Sequence, residues 1–218
     1  METTLHRALK ARYGPEAGGR QEVVLHGFRI DAVDPDGSLV EIQSGPLGPL
    51  RGKLSRLLAE HRIRVVKPVV VSKRVVRRAH RDAPDLSARM SPKRGSSLDV
   101  FEDLIGVIAL FPHPHLRIDV MEVAIDEVRV SRRRWPGFAV ADRRLREVGA
   151  VTHLVEPRDL WRLIPSRMPD RFTTADLARG LGRSMPFAQK VAYCLREAGA
   201  SQITGKEGNR LVYKRMDA

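Results

Sequence analysis

Apolar positions in the first part of the chain recur with periods that predict both helices and strands. Leu5, Ala8 and Leu9 fall on one face of a helix predicted over residues 4–13. Three short strands, an amphipathic helix and a β-branched buried strand should follow over residues 22–25, 28–33, 39–43, 50–61 and 63–71. This order of elements predicts a mixed α/β fold.

The turn between the second and third predicted strands has strong turn chemistry. In Asp34-Pro35-Asp36-Gly37 the proline presets φ, the aspartates cap the turn and the glycine closes it. Depending on the register, Asp31 then lies opposite Val40 or Glu41, about 5 Å away at Cβ. Alternation sends Val40 to the core and places Glu41 and Gln43 on the side of Asp31. Two carboxylates and an amide are hard oxygen donors that suit Mg²⁺.

The pattern of Asp31, a short hairpin and Glu41-Ile42-Gln43 resembles the PD-(D/E)XK, or restriction-endonuclease-like, nuclease superfamily. That family's fold runs helix, three-stranded meander, helix and strand, the same order as residues 1–75 here. The resemblance implies a mixed sheet flanked by helices and hydrolysis of phosphodiester bonds. It also implies that Asp31 and Glu41 hold Mg²⁺ or Mn²⁺, with Gln43 as the third motif residue.

This chain departs from the family pattern in two ways. The third motif residue is usually Lys, which positions or activates the attacking water, although some restriction enzymes carry Gln as this chain does at Gln43. Lys53, on the next predicted helix, would supply the missing cation. Many members also carry an acid on the first helix, for which Glu2 is the candidate here. The alternative explanation of Asp31 is a structural one, in which it forms an ion pair with Arg29 on an exposed face of the sheet and binds no metal.

The middle of the chain has a less regular pattern. Residues 77–95 are polar and basic and predict a loop, 98–110 a helix, 116–130 one long strand or two, and 138–148 short strands. Arg132-Arg133-Arg134 should form a loop tip, either near a phosphate backbone or simply solvated. We expect this region to extend the nuclease sheet, which gives a domain over residues 1–154 with its core in 1–75 and its extension in 76–154.

The last part of the chain predicts three helices and a basic-tipped hairpin. Helices are expected over residues 157–164, 173–181 and 184–198, with strands at 200–204 and 210–214. This order resembles a winged helix-turn-helix domain, here residues 155–218, whose third helix enters the major groove. The residues that this resemblance directs toward duplex DNA are Arg183, Ser184, Gln189, Lys190 and, from the wing, Lys206 and Arg210. Winged helices that contact protein instead of DNA are the alternative.

The charge balance points to a polyanionic partner. The 218 residues hold 39 Lys and Arg against 26 Asp and Glu, a net charge of +13 that favours DNA, RNA or an acidic membrane surface. An arginine-rich composition typical of GC-rich genomes explains part of this excess. Neither a secretory signal nor an apolar stretch of membrane-spanning length is evident, and a single Cys fits a reducing compartment. We therefore expect a cytoplasmic protein without membrane contact.

Three functional hypotheses follow. The favoured one is a Mg²⁺-dependent nuclease that its winged helix delivers to duplex DNA, and cleavage of both strands would be consistent with a homodimer. The second is a DNA-binding regulator or adaptor whose nuclease-like domain is inactive. The third is an interaction scaffold whose winged helix binds protein and which needs no metal.

Overall fold

The computed structural model describes residues 2–164 and 168–216. Its chain divides into two compact units, each assembled from three segments. One unit comprises the residues up to Ser44 together with Val66–Ser97 and Met121–Val151, and the other comprises Gly45–Val65, Leu98–Val120 and the residues from Thr152 onward. The predicted division at residue 154 into a nuclease-like and a winged-helix domain stays a prediction.

The described residues form five α-helices, ten strands and short 3₁₀ segments. The helices are α1 (Thr4–Tyr13), α2 (Arg51–Leu57), α3 (Phe101–Leu104), α4 (Thr174–Leu181) and α5 (Met185–Glu197). The strands are β1 (Arg20–Leu25), β2 (Phe28–Val33), β3 (Leu39–Ile42), β4 (Ile63–Arg78), β5 (Ser87–Met90), β6 (Leu116–Ser131), β7 (Phe138–Leu154), β8 (Arg171–Thr173), β9 (Ser201–Glu207) and β10 (Arg210–Arg215). No helix in the described ranges is long and apolar enough to cross a membrane.

The larger sheet has seven strands in the order β1-β2-β3-β4-β6-β7, with β5 paired to β4. The meander β1-β2-β3 is antiparallel. Leu5 and Leu9 of α1 pack against Val40 and Ile42 of β3, together with Ala32, Val66, Met121, Val123 and Ile125. The coarse prediction of a mixed α/β fold, with a mixed sheet flanked by helices, is confirmed. The predicted helix 4–13 begins and ends where the sequence pattern placed it.

The middle of the chain is more regular than its sequence indicated. β4 runs to Arg78 and β5 occupies part of the predicted loop, while β7 is one strand of 17 residues in place of short ones. β6 passes without a break through Asp126 and Glu127, which are buried at 7% and 5% exposure. Arg74 pairs with Asp126 (2.6 Å) and Lys73 with Glu127 (3.2 Å), so cations neutralise these acids and the region is one strand, the first of the two alternatives that the sequence left open. The predicted helix 98–110 contains only one α-helical turn, α3, between 3₁₀ segments.

At the C-terminal end, β8, β10 and β9 form a three-stranded antiparallel sheet in that order. Thr173 caps α4 in a capping box with Asp176, whose side chain accepts a hydrogen bond from the Thr173 amide (2.9 Å). Trp161 lies edge-on to Phe172, and its indole N–H donates to the Ala200 carbonyl (3.1 Å). The predicted first helix is a 3₁₀ segment, Pro157–Leu163, and β8 was not predicted, because three residues carry too little pattern.

Candidate functional site

The β2–β3 hairpin sets the relation between the two predicted metal-binding acids. Its ladder pairs Val33 with Leu39 and Ala32 with Val40 and ends there, because the next donor of β3, the Ile42 N–H, is bonded to the Asp31 side chain. Of the two registers that the sequence allowed, the structure excludes the one with Asp31 opposite Val40, because Val40 faces Ala32. That Asp31 and Glu41 share an ion stays a prediction. The turn is closed by a hydrogen bond from the Asp34 amide to the Ser38 carbonyl (2.9 Å).

The Asp31 carboxylate is held at both oxygens. Oδ2 accepts a hydrogen bond from the Ile42 backbone N–H (2.9 Å) across the hairpin. Oδ1 lies 3.2 Å from His6 Nε2 and 3.1 Å from Lys10 Nζ, both on α1. Arg29, the partner in the alternative explanation, pairs with Glu22 (2.5 Å). The Asp31 side chain therefore joins the helix to the hairpin.

Lys10 lies at the centre of a small charged cluster. Its ammonium is 2.9 Å from Glu2 Oε1, 3.2 Å from Glu22 Oε1 and 3.1 Å from Asp31 Oδ1, and its side chain is only 8% exposed. We call Glu2, His6, Lys10, Glu22 and Asp31 the Lys10 cluster. Glu2, the candidate first-helix acid, thus shares a cation with Asp31. The sequence offered a signal for Lys10, because a lysine next to Leu9 sits on the edge of the buried face of an amphipathic helix.

The contacts of the cluster favour the ionised forms of Asp31 and Lys10. Burial raises the pKa of Asp31, but hydrogen bonds from His6, the Ile42 amide and Lys10 outweigh it and hold this pKa at about 2, against an ordinary 3.8. Burial lowers the pKa of Lys10, and the hydrogen bonds to Glu2 and Asp31 more than reverse this, so the pKa lies above its ordinary value. At neutral pH Asp31 is a carboxylate and Lys10 an ammonium.

Glu41 and Gln43 continue β3 on the side away from the unit's apolar core. Val40 and Ile42, which flank Glu41, both lie in that core, so strand alternation turns Glu41 toward the opposite face, where it is 5% exposed. The backbone N–H of Gln43 donates to the Val66 carbonyl (3.0 Å), which joins the end of the hairpin to β4. Glu41 is thus a buried acid and Gln43 a half-buried amide.

Lys67 is a buried cation that sequence reasoning overlooked. It follows Val66 on β4, the strand beside β3, and is 4% exposed. Since Val66 faces the apolar core, alternation turns Lys67 toward the same side of the sheet as Glu41. Its signal was a single Lys inside a β-branched run. Lys53, the cation proposed from sequence, lies half-buried on α2 in the other unit, and its catalytic role stays a prediction.

The donor set available to a metal is small. Within residues 2–164 and 168–216, neither Asp31 nor Glu41 belongs to a group of three His, Cys or carboxylate ligand atoms lying within 4.8 Å of one another. An ion here would rely on one or two carboxylates and water, which is how proteins commonly hold Mg²⁺. A Mg²⁺ or Mn²⁺ ion at these two acids stays a prediction.

Two of the predicted DNA-binding residues have acidic partners. Arg183 pairs with Asp99 (2.6 Å), and Lys190 of α5 pairs with Glu102 of α3. Both pairs are partly exposed, and exposed pairs are weak, so a phosphate could displace the acids. The other predicted contacts are solvent-exposed: Ser184, Gln189, Lys206 and Arg210.

Comparison with known proteins places most of the chain in one family. A family model described as "Domain of unknown function (DUF8091)" matches residues 3–155. A curated protein of Treponema pallidum (strain Nichols), named "Uncharacterized protein", is 34% identical over 220 residues, which covers 98% of this chain and 85% of that protein. No solved structure matches the chain.

Proposed function

We propose that this chain, which belongs to the family of the domain of unknown function DUF8091, is a metal-dependent nuclease that binds DNA and hydrolyses phosphodiester bonds. The observation that carries the proposal is the antiparallel β2–β3 hairpin, which has Asp31 on one strand and Glu41 on the next within the element order helix, three strands, helix and strand. The resemblance to the PD-(D/E)XK superfamily rests on the same two acids.

In this proposal each residue of the site has a separate task. Asp31 and Glu41 would hold Mg²⁺ or Mn²⁺, and such an ion lowers the pKa of its bound water and neutralises charge on phosphate. Gln43 would orient the attacking water through its amide. Lys67, buried and turned to the side of Glu41, would supply the positive charge that the usual motif lysine provides. The pKa of Asp31 is lowered to about 2, so its carboxylate stays ionised, as a metal ligand must.

The C-terminal segment would bring the protein to duplex DNA. Supporting this, α4 and α5 lie in sequence between β8 and the β9–β10 hairpin, the order of a winged helix-turn-helix. The exposed hairpin carries Lys206 and Arg210, and the exposed polar residues Arg183 and Ser184 directly precede α5. A net charge of +13 adds long-range attraction to a polyanion.

The deciding experiment is a cleavage assay with Mg²⁺ or Mn²⁺ over duplex, single-stranded and branched DNA. The wild type should cleave at least one substrate, and Asp31→Asn and Glu41→Gln should each lower the rate at least about a hundredfold, the loss expected when metal or electrostatic stabilisation is removed. Asp126→Asn is the matched control, since Asp126 is also an ion-paired, nearly buried carboxylate of the same unit and should keep activity. If the wild type cleaves nothing in this panel, the nuclease proposal is wrong.

One observation favours the second candidate, a DNA-binding protein whose nuclease-like domain is inactive. Lys10 already provides Asp31 with a cation, together with Glu2 and Glu22. If this lysine replaces the metal permanently, Mg²⁺ should not raise the unfolding temperature of the wild type. If the site binds metal, Mg²⁺ should stabilise the native state by mass action, and Lys10→Met should increase that stabilisation because the competing ammonium is gone.

A further inference from the structure

The tip of the β6–β7 hairpin combines three consecutive arginines with an exposed aromatic residue. Its sequence is Arg132-Arg133-Arg134-Trp135-Pro136-Gly137. The Arg132 amide donates to the Gly137 carbonyl (3.0 Å) and the Gly137 amide to the Arg134 carbonyl (2.8 Å), which closes the loop. Gly137 has φ +79°, a conformation that favours glycine. The tip therefore has a defined backbone conformation that presents these side chains to solvent.

Next to this tip lies a pocket of about 320 Å³ whose described lining contains three arginines and no acid. Arg78 is held by Asp85 (2.6 Å) and by the Arg81 carbonyl (3.1 Å). Arg129 donates to Glu127 (2.6 Å) and stacks 3.9 Å over the Phe138 ring. The third, Arg77, is exposed. Two guanidinium groups are thus fixed in advance, which lowers the entropic cost of binding an anion.

Trp135 is the most exposed large hydrophobic residue that the structure describes, at 93%. Residues 128–141 contain no acid, so the indole is flanked only by apolar, small and basic residues. Aromatic side chains beside a positively charged groove are the combination that binds single-stranded nucleic acid, since unpaired bases stack on the ring while phosphates contact the cations. A duplex offers no such base face, because its bases already stack on one another.

We infer that the β6–β7 tip binds single-stranded nucleic acid, with an unpaired base on Trp135 and phosphates at Arg132–Arg134 and the arginine-lined pocket. This inference rests on the proposed function, whose substrate class it narrows to DNA with an unpaired segment. An acidic membrane surface would also attract arginine and tryptophan. The recess lined by fixed guanidinium groups favours a nucleic acid, because a flat membrane surface could not reach into it.

The test measures the full chain with a single-stranded oligonucleotide by anisotropy and by tryptophan emission, without added divalent metal. The protein has two tryptophans, and Trp161 is buried at 8% exposure, so a stacked base should quench mainly Trp135. Trp135→Ala should weaken binding about tenfold to a hundredfold, the equivalent of one base–aromatic stack. Trp135→Phe should retain most of the affinity but lose the quenching. At low salt, the double variant Arg132→Ala with Arg133→Ala should weaken oligonucleotide binding. The matched control, Arg56→Ala on α2, should weaken it less.

Two results would overturn the inference. One is unchanged oligonucleotide affinity in Trp135→Ala. The other is Trp135-dependent binding to anionic lipid vesicles with no response to the oligonucleotide, which would assign the tip to a membrane surface. The cleavage assay tests the proposed function separately. If the wild type cleaves no DNA but binds the oligonucleotide through Trp135, the nuclease proposal is wrong and the inference about the β6–β7 tip stands. If the wild type cleaves DNA but Trp135→Ala leaves oligonucleotide binding unchanged, only the inference about the β6–β7 tip is wrong.

Discussion

At the scale of single residues, the Lys10 cluster shows how neighbouring side chains and a backbone amide stabilise a half-buried acid. Asp31 receives hydrogen bonds from His6, Lys10 and the Ile42 amide, and its pKa falls to about 2 in spite of burial. The same contacts join α1 to the hairpin, so Asp31 has a structural role whether or not it also binds metal. A loss of activity on mutation must therefore be separated from a loss of folding.

Asp31 should make stability depend on pH in the acid range. Because its pKa is lowered from 3.8 to about 2 on folding, its stabilisation is present above pH 4 and is lost as the pH falls through 2. The shift corresponds to roughly 2 kcal/mol. Asp31→Asn should lower the free energy of unfolding by about that amount at pH 7, and the difference from wild type should shrink toward pH 2.

Denaturant titrations of both proteins across this pH range measure the effect. Asp82→Asn, at an exposed aspartate of the same unit, is the control and should leave stability nearly unchanged. A pH-independent difference between wild type and Asp31→Asn would show that the lost interaction is not the charge on Asp31.

At the scale of elements, α5 together with Arg183 just before it carries both predicted DNA contacts and intramolecular ion pairs. Arg183 and Lys190 pair with Asp99 and Glu102, acids that belong to one short segment around α3. Carboxylates in contact with the basic residues of a DNA-binding helix compete with phosphate for them. This arrangement would lower the affinity for duplex DNA without preventing binding, since exposed ion pairs are weak.

Removing these acids should strengthen duplex binding. Asp99→Asn with Glu102→Gln frees both basic side chains, and we expect a rise in affinity of about twofold to thirtyfold at low salt, from two pairs of roughly 0.2–1 kcal/mol each. Asp103→Asn, at the neighbouring acid, is the control. The measurement is duplex affinity as a function of salt concentration. Unchanged affinity in the double variant would mean that this face of α5 does not contact duplex DNA.

At the scale of the whole molecule, the net charge of +13 admits two explanations. It could reflect an arginine-rich composition without function, or it could be concentrated where nucleic acid binds. The β6–β7 tip, the β9–β10 hairpin and the turn before α5 each carry exposed basic residues. Local concentration of this kind is what a functional charge requires, because salt screens dispersed charges.

A salt titration separates the two explanations. Each phosphate neutralised by a basic side chain contributes about 0.9 to the slope of log affinity against log salt for duplex DNA. If Lys206 and Arg210 both contact phosphate, changing the two to Ala in the full chain should reduce the slope by roughly two. Arg56→Ala should change it little. An equal reduction for any exposed basic residue would support the compositional explanation and weaken the winged-helix assignment.

The chemistry of neighbouring residues was enough to predict several features. The amphipathic pattern of residues 4–13 predicted α1, the Asp34–Gly37 run predicted the hairpin, and Thr173 predicted the start of α4. The two acids of the hairpin also followed from sequence, as a pair of possible registers. In each case the decisive interactions lie within a few residues, such as helix caps, turn dihedrals and alternation.

The tertiary structure alone decided the register of β2 against β3, the burial of Lys10 and Lys67, and the ion pairs of Arg183 and Lys190. It also decided that β6 stays intact through Asp126 and Glu127, since their cationic partners lie on another strand. These outcomes depend on contacts between residues far apart in the chain, which exist only once the strands have paired. A local pattern can show that a charge is present, but the neighbours that neutralise it are determined by the fold.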